Sequence, residues 1–267
     1  MIAPEIQAEL RQRFNPDGSD LRKLQLRMLD ILKYIDSICK EHDISYWLSS
    51  GTCLGAVRHG GFIPWDDDVD IEMLKPDYDK LVKILSNEQK NIFGYCLQNN
   101  SNDPFFIYDF SKVRNKNVPF DEWLPLAKYY KHKGLFIDIF KLEESNSKTL
   151  HYICGRLRVL EYHILNFTIK NCNFFIKPAL FLHKLNNVFF DMIRPLDRIG
   201  AKGQLRHTLG VTFTKHRNLK DIFPLRRMVF EDIELPIPND YHNYLTKIYG
   251  DYTKIKIGMS HLSVSNN

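Results

Sequence analysis

The sequence lacks long hydrophobic runs, concentrated blocks of basic residues and paired cysteines. Its mainly apolar stretches fall short of the roughly 18 residues that a membrane-spanning helix needs. No run of Lys or Arg exceeds two residues, so the formal charge of +5 is too diffuse to indicate nucleic-acid binding. The N-terminal segment MIAPEIQAELRQRF has no basic region followed by an apolar one, so we expect no secretory signal there.

The cysteines do not indicate a disulfide framework. None of the five belongs to a CxxC motif, and an odd number in a chain of 267 residues argues against a set of structural bridges. Reduced thiols are typical of cytosolic proteins. We therefore expect a cytoplasmic protein, and membrane association at the inner face is an alternative that depends on the middle of the chain.

The composition is that of a folded globular protein, with 44% hydrophobic and 26% charged residues. Helical and strand patterns alternate up to about residue 145, which predicts an α+β fold with a small mixed sheet flanked by helices. From Asn146 onwards the pattern becomes largely helical. We therefore predict two parts that pack together, a catalytic domain at 1–145 and a helical and mixed region at 146–267 that binds the acceptor.

Individual elements follow from periodicity and from breakers such as Gly and Pro. Apolar residues at helical spacing predict a long helix that begins near Asp20, and a shorter helix follows Gly51. Apolar runs between breakers predict strands. The predicted strands are 44–50, 68–74, 94–98, 105–114, 134–140 and 231–235.

The most informative feature is a group of four aspartates within five residues, Asp66, Asp67, Asp68 and Asp70. Side chains alternate along a strand, so Asp68 and Asp70 point the same way, only about 7 Å apart. Two carboxylates at that distance repel each other, and a divalent cation removes the penalty. Hard oxygen ligands suit Mg²⁺ or Mn²⁺. The alternative is a solvated acidic turn.

Two further features support a phosphate-handling site. Gly51 and Thr52 follow a predicted strand and begin a predicted helix, where backbone N–H groups can hold a phosphate. Asp138 stands between Ile137 and Ile139 in an otherwise apolar strand, and an unpaired buried carboxylate is costly. Asp138 therefore needs a cation or a hydrogen-bond donor, unless it is simply an acid on an edge strand.

These residues resemble a known family. The segment GTCLGAVRHGGFIPWDDDVDI is similar to the signature of the LicD family of phosphorylcholine transferases, which includes fukutin-related proteins. Similarity extends to KVRNKN (112–117), to GLFIDIFKL (134–142) and, more loosely, to 223–252. Related sequences follow that last segment with a Pro-Pro pair and a His. Here the chain has TKIKIGMSHLS, in which His261 is the candidate equivalent.

The resemblance implies a nucleotidyltransferase-like fold and the transfer of a phospho-substituent from a CDP-activated donor to a sugar hydroxyl, with release of CMP. Gly51 and Thr52 match the phosphate turn, Asp68 and Asp70 match the metal-binding pair, and Asp138 matches the third carboxylate. The implied head group is phosphocholine. The implied acceptor is a cell-surface glycan, such as lipopolysaccharide, teichoic acid or capsule, or its lipid-linked precursor.

Chemistry assigns further roles around the acids. We expect Asp68, Asp70 and Asp138 to hold Mg²⁺ or Mn²⁺, and Asp138 to accept the proton of the attacking hydroxyl. The other candidates are donors to the substrate phosphates. These are Arg58, His59, Lys112 and Arg114, of which Lys112 and Arg114 have solvated surface residues as the alternative and His59 a favourable helix C-terminal position.

Three rival functions share these residues. A nucleotidyltransferase would leave the nucleotide on the acceptor and release pyrophosphate. A sugar-nucleotide glycosyltransferase would use Asp-x-Asp for its metal, although the Gly-Thr turn and Asp138 make this less favoured. A non-catalytic binding protein would need no chemistry, although the three acids and the phosphate turn are all retained.

The region 151–199 combines many aromatic residues with Lys and Arg. Aromatic stripes are usually core, so we favour a helical layer that covers the sheet. The alternative is an interfacial surface that contacts a membrane to reach a lipid-linked glycan.

Overall fold

The computed structural model describes residues 2–87, 94–122, 124–171 and 173–255. Within these ranges the chain forms a mixed sheet with α-helices before and between its strands, and two long helices pack against each other as a hairpin in the middle of the chain. The helices are α1 (Pro4–Phe14), α2 (Asp20–Glu41), α3 (Ser50–His59), α4 (Lys75–Asn87), α5 (Lys148–Asn171), α6 (Ile176–Arg198), α7 (Leu219–Ile222) and α8 (Tyr241–Tyr249).

Short strands separate these helices. The strands are β1 (Trp47–Leu48), β2 (Asp70–Leu74), β3 (Tyr95–Gln98), β4 (Ser111–Asn115), β5 (Leu135–Glu144), β6 (Gln204–His207), β7 (Arg217–Asn218), β8 (Arg226–Phe230) and β9 (Ile233–Ile237). Two short 3-10 helices, Pro125–Tyr129 and Asn173–Phe175, complete the described elements.

The sheet is built around β5. Its order is β1-β2-β5-β4-β3, with β6 paired to β5 and β7 paired to β6. Among the described strands of this sheet, β2 and β5 run parallel and the other pairs are antiparallel. Because Leu142 pairs with both Leu74 and His207, β6 lies on the opposite edge of β5 from β2. The predicted α+β fold with a mixed sheet is therefore confirmed.

One face of the sheet is apolar and carries the main core. Ile137 and Ile139 of β5 and Ile71 of β2 are fully buried in one cluster with the apolar side of α2. Asp70 and Asp138, which adjoin these isoleucines in sequence, point to the other face because side chains alternate along a strand. Burial of one face therefore dictates that the acids share the opposite one.

Local signals set the ends of the helices near the site. The Ser19 hydroxyl accepts a hydrogen bond from the Arg22 backbone N–H and begins α2, and Asp240 does the same for α8 through Asn243. Gly60 follows α3 in the left-handed region with φ of 67°.

One predicted strand is only partly right. Residues 105–110 are a loop, and β4 begins at Ser111. The loop buries Phe106 and Ile107 in a second apolar cluster with residues of α5. Asp103 holds its start by accepting hydrogen bonds from the Gln98 side chain and the Lys131 backbone. Tertiary packing, rather than strand pairing, thus buries this aromatic run.

The expectation of buried aromatics in the middle helices is wrong for most of them. Of the six phenylalanines between 167 and 190, only Phe190 is buried. The exposed ones are Phe167, Phe174, Phe175, Phe181 and Phe189. Among the described residues, no helix is long and apolar enough to span a membrane.

The C-terminal part of the chain contributes to the same sheet as the N-terminal part. Strands β6 and β7 extend the sheet beyond β5, and α8 packs against α3. The division at residue 145 stays a prediction about domains, but the two parts share one sheet. The four cysteines in the described ranges are free thiols.

Candidate active site

Three charged side chains lie in a row across neighbouring strands. Asp70 on β2 is in register with Asp138 on β5, and Asp138 is in register with Lys112 on β4. Register partners project to the same face of a sheet. The structure therefore brings together two acids that are 68 residues apart in the sequence, Asp70 and Asp138, beside a lysine.

Asp66 and Asp68 complete the acidic cluster from the loop that enters β2. Asp66, Asp68 and Asp70 are all half-buried, so a ligand can reach them. The pKa of Asp70 is raised well above its ordinary value, mainly by burial and then by the charges of Asp68 and Asp138. Burial and the Asp68 charge raise the pKa of Asp66 in the same way. Burial and like-charge repulsion among these carboxylates therefore favour a bound proton or cation.

Lys112 is the cationic partner of the third acid. Its Nζ lies 3.1 Å from Asp138 Oδ1 and 3.5 Å from Glu122 Oε2. The same Nζ sits 3.0 Å from the centre of the Phe136 ring. The side chain is only 5% exposed, which excludes the solvated-surface alternative. Burial still raises the pKa of Asp138, although Lys112 opposes the shift.

The first turn of α3 positions β2 and approaches the acids. The Thr52 hydroxyl accepts a hydrogen bond of 2.9 Å from the Asp70 backbone N–H, so Thr52 fixes the start of β2. A Cβ on Gly51 would lie 3.0 Å from Asp66 Oδ2. Ser50 has a φ of 45°, which is unusual for a residue with a side chain. The first amides of α3 have no intrahelical acceptor.

Arg58 and His59 at the end of α3 have partners within the protein. Arg58 donates to His59 Nε2 and, through Nη1, to the Tyr252 and Lys254 carbonyls. His59 Nδ1 is 2.6 Å from Gln7 Oε1. Burial and the Arg58 charge lower the pKa of His59 to about 3, so the ring is neutral. These contacts tie α1 and the C-terminal segment to α3.

Arg114 is buried and fully engaged. It donates to Gln98 Oε1 at 2.6 Å, to the Gly134 carbonyl at 2.8 Å and to Glu122 Oε1 at 2.5 Å. Its side chain is 1% exposed, so both the surface alternative and direct contact with a diphosphate conflict with its position. Arg114 instead holds Glu122, which also approaches Lys112.

Glu72 is the main residue that the sequence analysis missed. It is fully buried on the face that carries Asp70, two positions further along β2. Its carboxylate accepts hydrogen bonds from Trp47, His207, Arg217 and Tyr244. Burial alone would raise the pKa of Glu72, but Arg217 and His207 outweigh it and lower the pKa. In the sequence, the indication of this role was the Asp-x-Glu spacing in β2, which places Glu72 on the same face as Asp70.

Tyr249, the last residue of α8, is a second missed neighbour of the acids. Burial and the charges of Asp70, Asp66 and Asp68 raise the pKa of its hydroxyl. The loosely similar segment 223–252 was the only signal for it. His261 lies outside the described residues.

The acids fit a divalent cation by their chemistry. Their carboxylate oxygens are the hard ligands that Mg²⁺ and Mn²⁺ prefer. A phosphate on the Gly51 turn would also lie beside the Asp66 carboxylate, so a cation or a proton has to offset the repulsion. Within the described part of the chain, however, no three His, Cys, Asp or Glu side chains stand at ligating geometry. The metal therefore stays a prediction.

An aromatic cavity of about 470 Å³ adjoins the acidic cluster. Its wall includes Phe140, which lies on the same face of β5 as Asp138. It also includes Phe110, whose ring centre is 5.9 Å from Lys112 Nζ. Helix α5 closes one side through Arg158, which pairs with Asp109 at 2.7 Å. The aromatic residues that line the cavity are Tyr108, Phe110, Phe140, Tyr162 and Phe213.

Comparisons with known proteins agree with this geometry. Residues 43–162 match the family model described as LicD/FKTN/FKRP, nucleotidyltransferase domain, and this range contains the Gly51 turn and all the acids of the cluster.

Over 252 residues the chain is 26% identical to the lipopolysaccharide cholinephosphotransferase LicD of Haemophilus influenzae, which covers 88% of this chain and 92% of that protein. The human ribitol 5-phosphate transferase FKRP is 29% identical over 94 residues, 34% of this chain and 19% of FKRP. The mouse ribitol-5-phosphate transferase FKTN is 35% identical over 74 residues, 28% of this chain and 16% of FKTN.

Proposed function

We propose that this chain, whose residues 43–162 match the LicD/FKTN/FKRP family model, transfers phosphocholine from a CDP-activated donor to a sugar hydroxyl of a glycan and releases CMP. The observation that carries the proposal is the register of Asp70 with Asp138 beside the Gly51 turn. The named cholinephosphotransferase aligns over most of this chain, which favours phosphocholine over ribitol phosphate as the head group.

The proposed step is an in-line displacement at phosphorus. The sugar oxygen forms a bond to the phosphorus of the head group as the bond to the CMP oxygen breaks, and CMP carries away the electron pair. Asp138 takes the proton of the hydroxyl, because its raised pKa makes it a better base than an ordinary carboxylate. Lys112 keeps Asp138 in place and offsets part of its charge.

Asp68, Asp70 and Asp138 are the residues that would hold Mg²⁺ or Mn²⁺. When bound, the cation would neutralise the negative charge of the diphosphate. The amides at the start of α3 would hold a phosphate oxygen. The Thr52 hydroxyl fixes the position of Asp70 relative to these amides, because it accepts a hydrogen bond from the Asp70 backbone N–H.

The aromatic cavity supports choline as the head group. Aromatic rings attract a quaternary ammonium through their negative faces, and this cavity is lined by five rings. Phe110 and Phe140 line the cavity on the side of the acids. Phe140 is two residues from Asp138 on the same face of β5, about 7 Å along the strand. The choline of a donor whose diphosphate lies on the acids would therefore reach these rings.

The test is to incubate the protein with Mg²⁺, an acceptor glycan and CDP-choline, CDP-ribitol or CDP-glycerol in turn. We expect release of CMP and labelled glycan with CDP-choline above the other donors. Phe110→Leu should raise KM for CDP-choline by about tenfold and change the other donors less. Release of phosphocholine from CDP-choline, with the cytidylyl group left on the acceptor, would instead identify a nucleotidyltransferase, and binding without turnover a non-catalytic protein.

Asp70→Asn tests the acidic cluster. We expect turnover to fall by at least about a thousandfold, because the variant loses a ligand for the charge-neutralising cation. The melting temperature should rise or stay unchanged, because a like-charge contact is removed. Mg²⁺ should raise the melting temperature of the unmodified protein but not of this variant. Asp79→Asn, an exposed acid on α4, is the matched control and should change none of these values.

A further inference from the structure

The helical hairpin, defined as residues 148–198 with α5 and α6, exposes apolar side chains along both helices. On α5 they recur every three or four residues, which is one face of a helix. These residues are Ile153, Leu157, Leu160, Ile164 and Phe167. Phe174 and Phe175 at the turn are 86% and 55% exposed.

Helix α6 carries a second exposed apolar stripe with the same spacing. Its residues are Phe181, Leu185, Val188, Met192 and Leu196, and Leu182 and Phe189 lie beside them. Isolated exposed apolar residues are ordinary, but two stripes on adjoining helices form a patch far larger than a monomer usually exposes to water.

The buried side of the hairpin combines apolar residues with charged and polar ones. His151 is 2.9 Å from Asp197, and Ser145 contacts the same histidine. Arg158 is buried and pairs with Asp109 and Glu161. A helix layer that faced water would place its apolar residues inward and its polar residues outward. The hairpin departs from this arrangement because it buries charged groups and exposes two apolar stripes, so its outer surface is suited to an apolar medium.

The charge of the hairpin adds a second observation. It contains eight Lys or Arg and three Asp or Glu, a net charge of +5, which equals that of the whole chain. The basic residues Lys170, Lys177 and Lys184 are exposed and recur every seven residues beside the apolar stripes. Within the described residues none of the three forms an ion pair. Long basic side chains next to an apolar face are typical of helices that lie in an anionic membrane surface.

We propose that the hairpin binds to the surface of an anionic lipid bilayer, with its apolar stripes among the acyl chains and its lysines at the headgroups. A second copy of the chain is a poor occupant, because the exposed lysines beside the apolar stripes of two hairpins would repel each other. Helix α5 also lines the aromatic cavity through Arg158 and Tyr162. Docking would thus hold the candidate active site close to the membrane, where an acceptor with a lipid anchor is found.

The test is flotation of the purified protein with vesicles of phosphatidylcholine alone or of phosphatidylcholine mixed with phosphatidylglycerol. We expect the protein to float with the mixed vesicles and to dissociate as salt is raised. The triple variant Lys170→Glu, Lys177→Glu and Lys184→Glu should weaken binding by more than about tenfold. Its matched control reverses three exposed lysines elsewhere, Lys83, Lys128 and Lys220, and should bind as the unmodified protein does.

A second variant tests the apolar stripes. Phe167→Ser, Phe181→Ser and Met192→Ser change residues that are 65%, 61% and 72% exposed, so the fold should be kept and circular dichroism should be unchanged. We expect this variant to lose flotation. Its control replaces apolar residues outside the hairpin that are also exposed, namely Ile6, Leu26 and Val229, by Ser and should float normally.

The outcomes separate this proposal from the proposed function. Hairpin variants should still release CMP from a soluble donor and acceptor, whereas Asp70→Asn should float but not turn over. Failure of the unmodified protein to float with the mixed vesicles would overturn the proposal. So would unchanged flotation of both hairpin variants, or a dimer in sedimentation experiments that the serine variant abolishes, since a second copy would then cover the patch.

Discussion

At the scale of single residues, the buried charge of Glu72 links the candidate site to the C-terminal part of the chain. Its ion pair with Arg217 at 2.6 Å joins β2 to β7, and Tyr244 brings in α8. Removal of one member of a buried pair leaves the other charge unpaired and desolvated. The pair therefore stabilises the relative positions of distant segments.

We predict that Glu72→Gln lowers the free energy of unfolding by about 3–5 kcal/mol, because Arg217 then stays buried without a counter-charge. Urea unfolding measures the loss. The matched control is Asp232→Asn, which breaks the exposed pair with Lys33 at 2.6 Å and should cost less than about 1 kcal/mol. An equal loss in both variants would contradict the role of Glu72.

His59 should make stability depend on pH. Burial and Arg58 lower its pKa in the folded protein from 6.5 to about 3. Between these two values the unfolded chain binds a proton at His59 that the folded chain does not bind, so the free energy of unfolding decreases as pH falls. His59→Asn removes this term.

The measurement is the melting temperature of the unmodified protein and of His59→Asn between about pH 7 and pH 4. Below about pH 6.5, we expect the melting temperature of the unmodified protein to fall relative to that of His59→Asn as the pH decreases. His59→Asn is needed as a reference because the raised pKa values of Asp66 and Asp70 have the opposite effect and increase the free energy of unfolding as pH falls. A constant difference over this range would rule out His59 as the source.

At the scale of elements, α3 is held close to the loop that follows it. A Cβ on Gly55 would lie 2.4 Å from the Gly61 carbonyl oxygen, which is a backbone atom and cannot simply rotate away. The close contact sets the path of 61–66, the loop that delivers Asp66 to the site. Gly55 is therefore required by packing rather than by its own backbone angles.

We predict that Gly55→Ala lowers the free energy of unfolding by about 1–3 kcal/mol through this overlap and lowers turnover as well. Gly155→Ala in α5 is the matched control. Its Cβ would meet Thr212 and Val211 at an ordinary 3.5 Å, so the substitution should be neutral or stabilise the helix by up to about 1 kcal/mol. Denaturant unfolding of both variants decides between packing and helix propensity.

At the scale of the whole molecule, β5 unites the two parts of the chain. Its first half pairs with β4 and its second half with β6, and β2 runs along the other edge. Strands from both sides of residue 145 thus depend on one central strand. The change in sequence pattern near residue 145 therefore does not coincide with a break in the hydrogen bonding of the sheet.

We therefore predict that the protein unfolds in a single cooperative transition. The three tryptophans all precede residue 145, so their fluorescence reports on the N-terminal part, whereas far-ultraviolet circular dichroism includes α5 and α6. The two signals should change at the same urea concentration. Separate midpoints would show that the two parts unfold independently.

The sequence by itself determined the acids, the turn and the pattern of helices and strands that carries them. Alternation in 68–74 and 134–140 put Asp70 and Asp138 on the polar faces of their strands, because the intervening isoleucines have to be buried. Glycines and capping residues marked where α3 and α8 end or begin. These signals are local, so the chain reveals them without its neighbours.

Only the tertiary structure decided which charges are buried and which apolar residues stay exposed. Lys112, Arg114 and Glu72 looked like surface or strand residues until distant segments surrounded them. The six phenylalanines between 167 and 190 looked like core, but the structure leaves all of them except Phe190 exposed. Burial depends on which segments pack against a residue, and that information lies in long-range contacts rather than in local spacing.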